Sequence, residues 1–129
     1  MPATKDLQDP RRNRLLAALP DADFERIASR LEPVEMSLGD VLYESGAKLR
    51  QVYFPTTAIV SLLYVMENGA SAEIAVVGND GMVGISLFMG GETTPSRAVV
   101  QSAGQCFMLK ADLLKEEFDR YGPTMHLPL

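Results

Sequence analysis

Residues Ser37-Leu38-Gly39-Asp40-Val41-Leu42-Tyr43-Glu44-Ser45-Gly46 carry the pattern that decides the fold of this chain. Three apolar residues, Val41–Tyr43, lie between two turns, and each turn holds a glycine and polar residues that favour a tight reversal of the backbone. A short apolar run bounded by turn residues predicts a β-strand. The same arrangement recurs along the chain, so we expect a fold built from many short strands.

Seven such segments follow one another from Val34 onwards. Asn68-Gly69, between two of them, is a strong hairpin signal because both residues tolerate the positive φ of a two-residue turn. Many short strands with regularly spaced turns predict a roll or a barrel-like sandwich. The predicted strands are Val34–Met36, Val41–Tyr43, Val52–Phe54, Ala58–Val65, Ala72–Val77, Arg97–Ala103 and Cys106–Leu109.

Helical signals flank the predicted strands. Pro10 suits a first helical turn, and apolar residues then recur at helical spacing as far as Pro20. A second helix is expected to end before Pro33, and a third begins near Asp112, whose side chain can cap it. We therefore expect a mainly β fold with flanking helices. The residues expected on the inner faces of these helices are Leu15, Leu16 and Leu19, then Phe24, Ile27, Ala28 and Leu31, then Leu113, Leu114 and Phe118.

The composition fits one domain and argues against several classes of protein. With 129 residues, 47% of them apolar, the chain can form one core but not two domains of usual size. Its 17 acidic and 12 basic residues give a net charge of −5, which opposes binding to nucleic acid or to an anionic membrane. No stretch resembles a signal peptide or reaches the ~20 apolar residues that cross a bilayer. Cys106, the only cysteine, fits a reducing, cytoplasmic location.

The sequence lacks the residue sets that catalysis or metal binding would require. His126 is the only histidine, whereas a jelly-roll metalloenzyme needs several histidine or carboxylate ligands. An iron–sulfur cluster needs several cysteines. Asp40 and Glu44 lie on either side of a predicted strand and are interpreted as loop charges rather than as a general acid and base. We therefore predict a domain that is not an enzyme and holds no metal.

Arg97 is the only positively charged side chain between Arg50 and Lys110. The planar guanidinium can bind two phosphate oxygens at once, so a lone arginine downstream of a glycine-bearing run suggests an anion site. The alternative is an ordinary strand residue whose head group lies in solvent or pairs with a carboxylate such as Asp80 or Glu92. The residues alone leave both interpretations open.

Three stretches, in this order, resemble the sensor domain of Crp/Fnr-type bacterial transcription regulators. They are Leu38–Gly46, Val77–Gly84 and Ser96–Ala98, and the resemblance covers about residues 14 to 129. It implies a double-stranded β-helix, a jelly-roll-like roll of the kind that encloses a cyclic nucleotide. It also implies an effector-sensing regulatory function.

The resemblance implies a phosphate-binding cassette that runs from Gly84 to Arg97, while Gly81 is interpreted as a turn residue. In such cassettes a Gly-Glu pair precedes a short helix whose N–H groups face the phosphate, and an arginine followed by Ser, Thr or Ala ends the motif. Here Ile85 replaces the glutamate that would accept the ribose hydroxyl, and a buried donor left unpaired costs about 1–3 kcal/mol. Tight binding of cyclic AMP is therefore not expected, and Glu92 is a candidate for the missing carboxylate. The candidate ligand-binding residues are Gly84, Ile85, Ser86, Leu87, Ser96, Arg97 and Ala98.

Domain organisation and partners follow from the same resemblance. Residues 1–13 are expected to be a flexible N-terminal segment, residues 14–122 the sensor domain, and residues 123–129 the start of a truncated C-terminal helical region. The implied ligand is a cyclic nucleotide or another small anionic effector. DNA would be bound only by a helix-turn-helix domain beyond this chain, and the full-length parent is expected to be a homodimer. The alternative, which Ile85 supports, is a ligand-free protein-interaction module of the same fold.

Overall fold

A computed structural model describes the fold over residues 9–84 and 96–121, with side chains described as far as residue 116. The described residues form seven strands, three α-helices and one short 3-10 turn. In chain order the elements are the turn Pro10–Arg12, α1 Arg14–Ala17, α2 Asp21–Ala28, β1 Glu32–Met36, β2 Val41–Tyr43, β3 Gln51–Pro55, β4 Ile59–Val65, β5 Ser71–Val77, β6 Arg97–Ser102, β7 Gly104–Lys110 and α3 Ala111–Tyr121.

The strands form two antiparallel sheets. One sheet has the order β1-β7-β3 and the other the order β2-β6-β4-β5. Buried side chains from both sheets pack together between them, which makes the pair of sheets a roll with an inner and an outer face. Asn68 and Gly69 form the turn of the β4–β5 hairpin, where Gly69 has a φ of 87°. The predicted mainly β, jelly-roll-like fold and the predicted hairpin are confirmed.

Two strands are longer than predicted, and each includes a proline that was expected to lie outside it. β1 includes Pro33 and β3 includes Pro55. Both strands lie at the edges of the three-stranded sheet, with β7 between them. A proline has no N–H to donate, and at a sheet edge this removes no bond to a neighbouring strand.

The helices also differ from the predicted ones at their ends. The expected first helix is divided at Asn13 into a 3-10 turn and the four-residue α1, because the Asn13 side chain caps α1 by accepting from two backbone N–H groups. α3 begins at Ala111, so Asp112 lies in its first turn instead of before it. Leu114 is buried as expected, whereas the side chain of Phe118 lies outside the described residues.

The core has two parts separated by the three-stranded sheet. Successive side chains of β3 point to opposite faces of the sheet and contribute to both parts of the core. Val52 and Phe54 face the helices, and Tyr53 faces the inside of the roll. The helical part contains Leu16, Phe24, Ile27, Leu49, Val52, Phe54, Phe107, Leu109, Ala111 and Leu114. The inner part, within the roll, contains Met36, Tyr53, Ala58, Val60, Val83, Ala98, Val100 and Cys106.

Asn13 is a completely buried amide that joins α1 to the roll. Its Oδ1 accepts from the backbone N–H groups of Leu15 and Leu16, at 3.0 and 3.3 Å. Its Nδ2 donates to the carbonyl oxygens of Pro55 and Gly81, each at 2.8 Å. All four hydrogen-bonding positions of the amide are therefore used. The predicted domain boundary at residue 14 stays a prediction, but Asn13 itself lies in the core, with 0% of its surface exposed.

We expect Asn13→Ala to lower the free energy of unfolding by about 2–5 kcal/mol. The lost cap accounts for ~0.5–2 kcal/mol, and the two unpaired carbonyl groups account for most of the rest. Asn13→Asp keeps the cap but loses both donors, so it should be similarly destabilising. Urea denaturation measures both effects, with Asp9→Ala as the control because Asp9 caps the exposed 3-10 turn without a tertiary bond. Equal losses in Asp9→Ala and Asn13→Ala would contradict this account.

Ionisation of the Cys106 thiol is expected to lower the free energy of unfolding at alkaline pH. Burial raises the pKa of Cys106 from 9.0 to about 12. Between these values the unfolded chain loses the thiol proton while the folded chain keeps it, so stability falls as pH rises above about 9. At about pH 10.5 the expected loss relative to pH 8 is about 2 kcal/mol. Denaturation at both pH values should show a shallower decline in Cys106→Ala than in the unchanged chain, and parallel declines would exclude the thiol as the cause.

Candidate effector site

The chain that enters the cassette is fixed to the roll by backbone pairing. Val83 and Tyr53 exchange two hydrogen bonds, with N–O distances of 2.8 and 3.0 Å. Upstream, the N–H of Gly81 donates to the carbonyl of Gly78 at 3.2 Å, so Gly81 is the turn residue that the sequence predicts. The cassette therefore begins from a rigid position against β3.

Gly84, the residue after this pairing, lies close against β3. Its φ is 111°, in a region that side chains with a Cβ rarely adopt. A Cβ on Gly84 would lie 2.9 Å from Cγ1 of Val52, which is closer than real Cβ contacts. Packing against Val52 thus gives one structural reason for this glycine, and its predicted role in ligand binding stays a prediction.

After the cassette, Ser96 and the first residues of β6 alternate between the two faces of the sheet. Ala98 pairs with Leu62, and both pack in the inner part of the core. Ser96, Ala98 and Val100 are 5%, 0% and 1% exposed, so they share the inner face. Arg97 lies between Ser96 and Ala98 and therefore belongs to the outer row of side chains. The inner-face position at the end of the cassette is occupied by Ser96.

Arg97 pairs with a carboxylate on the outer side of the roll. Its Nε lies 3.0 Å from Oε1 of Glu44, and the two side chains are 37% and 62% exposed. The N–H of Nε makes no hydrogen bond of acceptable geometry, so the contact is an ion pair without a directed bond. From the sequence alone, Asp80 and Glu92 are the candidate carboxylate partners of Arg97, and Glu44 is interpreted as a loop charge. Glu44 is an exposed residue just after β2, as expected, and its contact with Arg97 is an addition that was not predicted, while Glu92 lies outside the described residues.

On the inner face, Ser96 is joined to Tyr43. Burial raises the pKa of the Tyr43 hydroxyl, a hydrogen bond with the Ser96 side chain partly offsets the increase, and nearby Tyr53 adds to it. Burial likewise raises the pKa of Tyr53. Both tyrosines are therefore neutral at physiological pH and present hydroxyl groups rather than charges.

The predicted site residues are thus only partly placed. Gly84 lies before the undescribed segment 85–95 and Ser96–Ala98 after it, while Ile85, Ser86 and Leu87 lie outside the described residues. Tyr43 was not predicted as a site residue, because simple alternation would place it on the same face as the outward Val41. An irregularity in the pairing between Val41 and Tyr43 brings Tyr43 opposite the inward-facing Ala98 instead. Within the described part of the chain, no group of three or more His, Cys, Asp or Glu side chains could hold a metal ion. The described helices include none long and apolar enough to span a membrane.

Comparisons with known proteins agree on the type of domain. A family model described as the cyclic nucleotide-binding domain matches residues 33–121. No curated protein matches the sequence at a significant level. Among solved structures, the N-terminal domain of a transcriptional regulator from Streptomyces coelicolor A3(2) is 27% identical, with a TM-score of 0.67, and the match covers 86% of this chain and 78% of that one.

Two further structures share the fold at lower identity. The regulatory domain of Toxoplasma gondii PKA, co-crystallised with cAMP, is 15% identical with a TM-score of 0.77, and the match covers 95% of this chain but 47% of that one. The sensor domain of the transcriptional regulator DNR from Pseudomonas aeruginosa is 14% identical with a TM-score of 0.72, over 84% of this chain and 73% of that one. The resemblance to regulator sensor domains is confirmed.

We expect Gly84→Ala to destabilise the chain by about 2–4 kcal/mol, because it adds both backbone strain and a clash with Val52. Gly46→Ala is the matched control, since Gly46 has a φ of 84° and open space around its Cβ position. The control should lose only the backbone part, about 1–2 kcal/mol. Thermal or urea unfolding measures both, and equal losses would show that the approach to Val52 is unimportant.

Proposed function

Because this chain belongs to the cyclic nucleotide-binding domain family, we propose that it is the effector-sensing domain of a transcription regulator. The observation that carries the proposal is the fixation of both ends of the segment 85–95. Gly84 is packed on β3, and Tyr43 of β2 pairs with Ala98, two residues after Ser96. An effector bound by that segment would shift the balance between two arrangements of the roll, which is how a small ligand controls a distant partner.

The proposed effector contacts the cassette residues Gly84, Ile85, Ser86 and Leu87 and the inner-face residues Ser96 and Ala98, whereas the side chain of Arg97 lies in the outer row. DNA would be read by a separate helix-turn-helix domain, and the whole regulator would act as a homodimer in the cytoplasm without enzymatic activity. This part of the proposal is tested on the parent gene. We expect a long helix and a basic helix-turn-helix within about one hundred residues after Leu129. A parent without them would contradict the DNA-binding role.

Two features argue against cyclic AMP as a tight ligand. Ile85 offers no carboxylate to a ribose hydroxyl. In the structure, the side chain of Arg97 lies on the outer face of β6, where it pairs with Glu44. An ion pair this exposed is worth only about 0–1 kcal/mol, so its rupture is not the main obstacle. The larger obstacle is the direction of Arg97 in β6, because its neighbours Ser96 and Ala98 occupy the inner face.

We expect weak cyclic AMP binding that Ile85→Glu strengthens by about tenfold, the lower end of the value of a restored hydrogen bond to the ribose. Arg97→Ala should change the affinity by less than about threefold, as for loss of a weak surface ion pair. Isothermal titration calorimetry with cyclic AMP measures both, and Ile85→Gln controls for side-chain size. Saturable heat in the unchanged chain that Arg97→Ala abolishes would contradict the outward assignment of Arg97.

A second candidate function is the ligand-free interaction module. One outer row of the four-stranded sheet runs Val41, Val99, Ser61 and Val76 across its four strands. Val41 and Val76, at the two ends of the row, are 42% and 51% exposed, whereas Ser61 within it is 7% exposed, so apolar surface for a partner lies at the two edges of the sheet. The same calorimetry with cyclic AMP, cyclic GMP and cyclic di-GMP bears on this candidate, because absence of heat with all three, in the unchanged chain and in Ile85→Glu, favours it.

A further inference from the structure

A cleft of about 250 Å³ opens between the end of β2 and the start of β3. It is formed mainly by the connection between these two strands, together with side chains from both of them. The cleft is distinct from the cassette positions considered above. Its lining residues are Leu42, Tyr43, Ala47, Lys48, Leu49, Arg50, Gln51 and Tyr53.

The walls of the cleft are apolar and well fixed. Leu49 and Tyr53 are 6% and 9% exposed and belong to the two parts of the core. The hydroxyl of Tyr53 donates to Oε1 of Gln51 at 3.0 Å. Leu42 and Tyr43 are half-buried and pack on the inner part of the core. These residues therefore give an apolar ring a contact surface that the core holds in place.

The rim of the cleft is positively charged although the chain as a whole is acidic. Lys48 and Arg50 are exposed, and no carboxylate is among the lining residues. Within the described residues, neither side chain forms an ion pair. Both also line an adjoining cleft of about 360 Å³, to which Lys110 adds a third cation and Asp112 one carboxylate. Cations without partners at the mouth of an apolar cleft favour an anionic head group.

The size of the cleft restricts the ligand. Sites for drug-sized molecules span roughly 300–1,000 Å³, so this cleft suits a smaller one. We propose that it binds a small amphipathic anion, with an apolar ring against Tyr43 and Leu49 and one carboxylate or phosphate group on Lys48 and Arg50. The proposal goes beyond the effector-sensing function, because it adds a second ligand site outside the cassette.

Tyr43 connects this cleft to the cassette. It lines the cleft, and it is hydrogen-bonded to Ser96, the first described residue after the segment 85–95. A ligand that displaces the Tyr43 ring therefore acts on the end of the cassette through a single side chain. Binding in the cleft is thereby coupled to the end of the cassette, which is the part of the roll that is proposed to change on effector binding.

The test is an NMR titration of the full chain with phenyl phosphate, benzoate and the neutral analogue benzyl alcohol. We expect the two anions to shift the amide signals of residues 42–53 and of Ser96, with affinities that fall as salt is added. Replacing both cations, in Lys48→Gln/Arg50→Gln, should weaken phenyl phosphate binding by about tenfold or more. Benzyl alcohol should bind weakly and equally to both proteins. Stronger binding of phenyl phosphate than of benzoate would identify the head group as a phosphate, and the reverse as a carboxylate.

The matched control is Arg12→Gln/Lys115→Gln, which removes the same charge from exposed positions outside the cleft. It should bind like the unchanged chain, and unaltered thermal unfolding will show that both double variants are folded. Unchanged binding in Lys48→Gln/Arg50→Gln, or no saturable shift with either anion, would overturn the proposal while leaving the sensor function to the nucleotide titration. Loss of binding in Arg97→Ala, with both double variants unaffected, would overturn it in favour of the cassette.

Discussion

The buried amide of Asn13 is the constraint on which the arrangement of this domain depends. Its two donors hold carbonyl groups at the end of β3 and in the turn that leads to the cassette, while its oxygen caps α1. The next residue extends the link, because the N–H of Arg14 donates to the carbonyl of Asn79 at 2.7 Å. One helix end therefore fixes the position from which residues Gly81–Gly84 run along the roll, and the geometry of the candidate site depends on a residue far from it in sequence.

The strands of this roll could be predicted because short-range chemistry determines them. All seven predicted segments correspond to strands, and the Asn68-Gly69 turn joins β4 and β5 as expected. The ends of the strands were less predictable. A strand can include Pro33 or Pro55 only if it lies at the edge of a sheet, and the sequence does not show which strands lie there. Asn13 could not be identified from its neighbours, because two of its four bonds join residues distant in sequence.

At the candidate site, the direction in which each side chain of β6 points could not be predicted from the sequence. Whether Arg97 or Ser96 faces the inside of the roll depends on the register of β6, and a shift of one residue exchanges the two faces. That register is set by pairing with β4, where Leu62 lies opposite Ala98. Residues 85–95 lie outside the described residues, and the motif could locate Arg97 in the chain but could not orient its side chain. The contact between Glu44 and Arg97 was not predicted for the same reason, because it depends on the pairing of β2 with β6.

The edge strand β5 has a consequence for how this protein behaves at high concentration. Within the described residues β5 pairs only with β4, and Ile74 and Val76 are 58% and 51% exposed. Its sequence, Ser71–Val77, contains a single charge, Glu73, and no proline. Strands of this kind can add to a strand of another molecule, and charged residues at such edges oppose that self-association. Glu73, whose carboxylate accepts a hydrogen bond from Ser61, is therefore the one charged residue of β5 available to oppose such self-association.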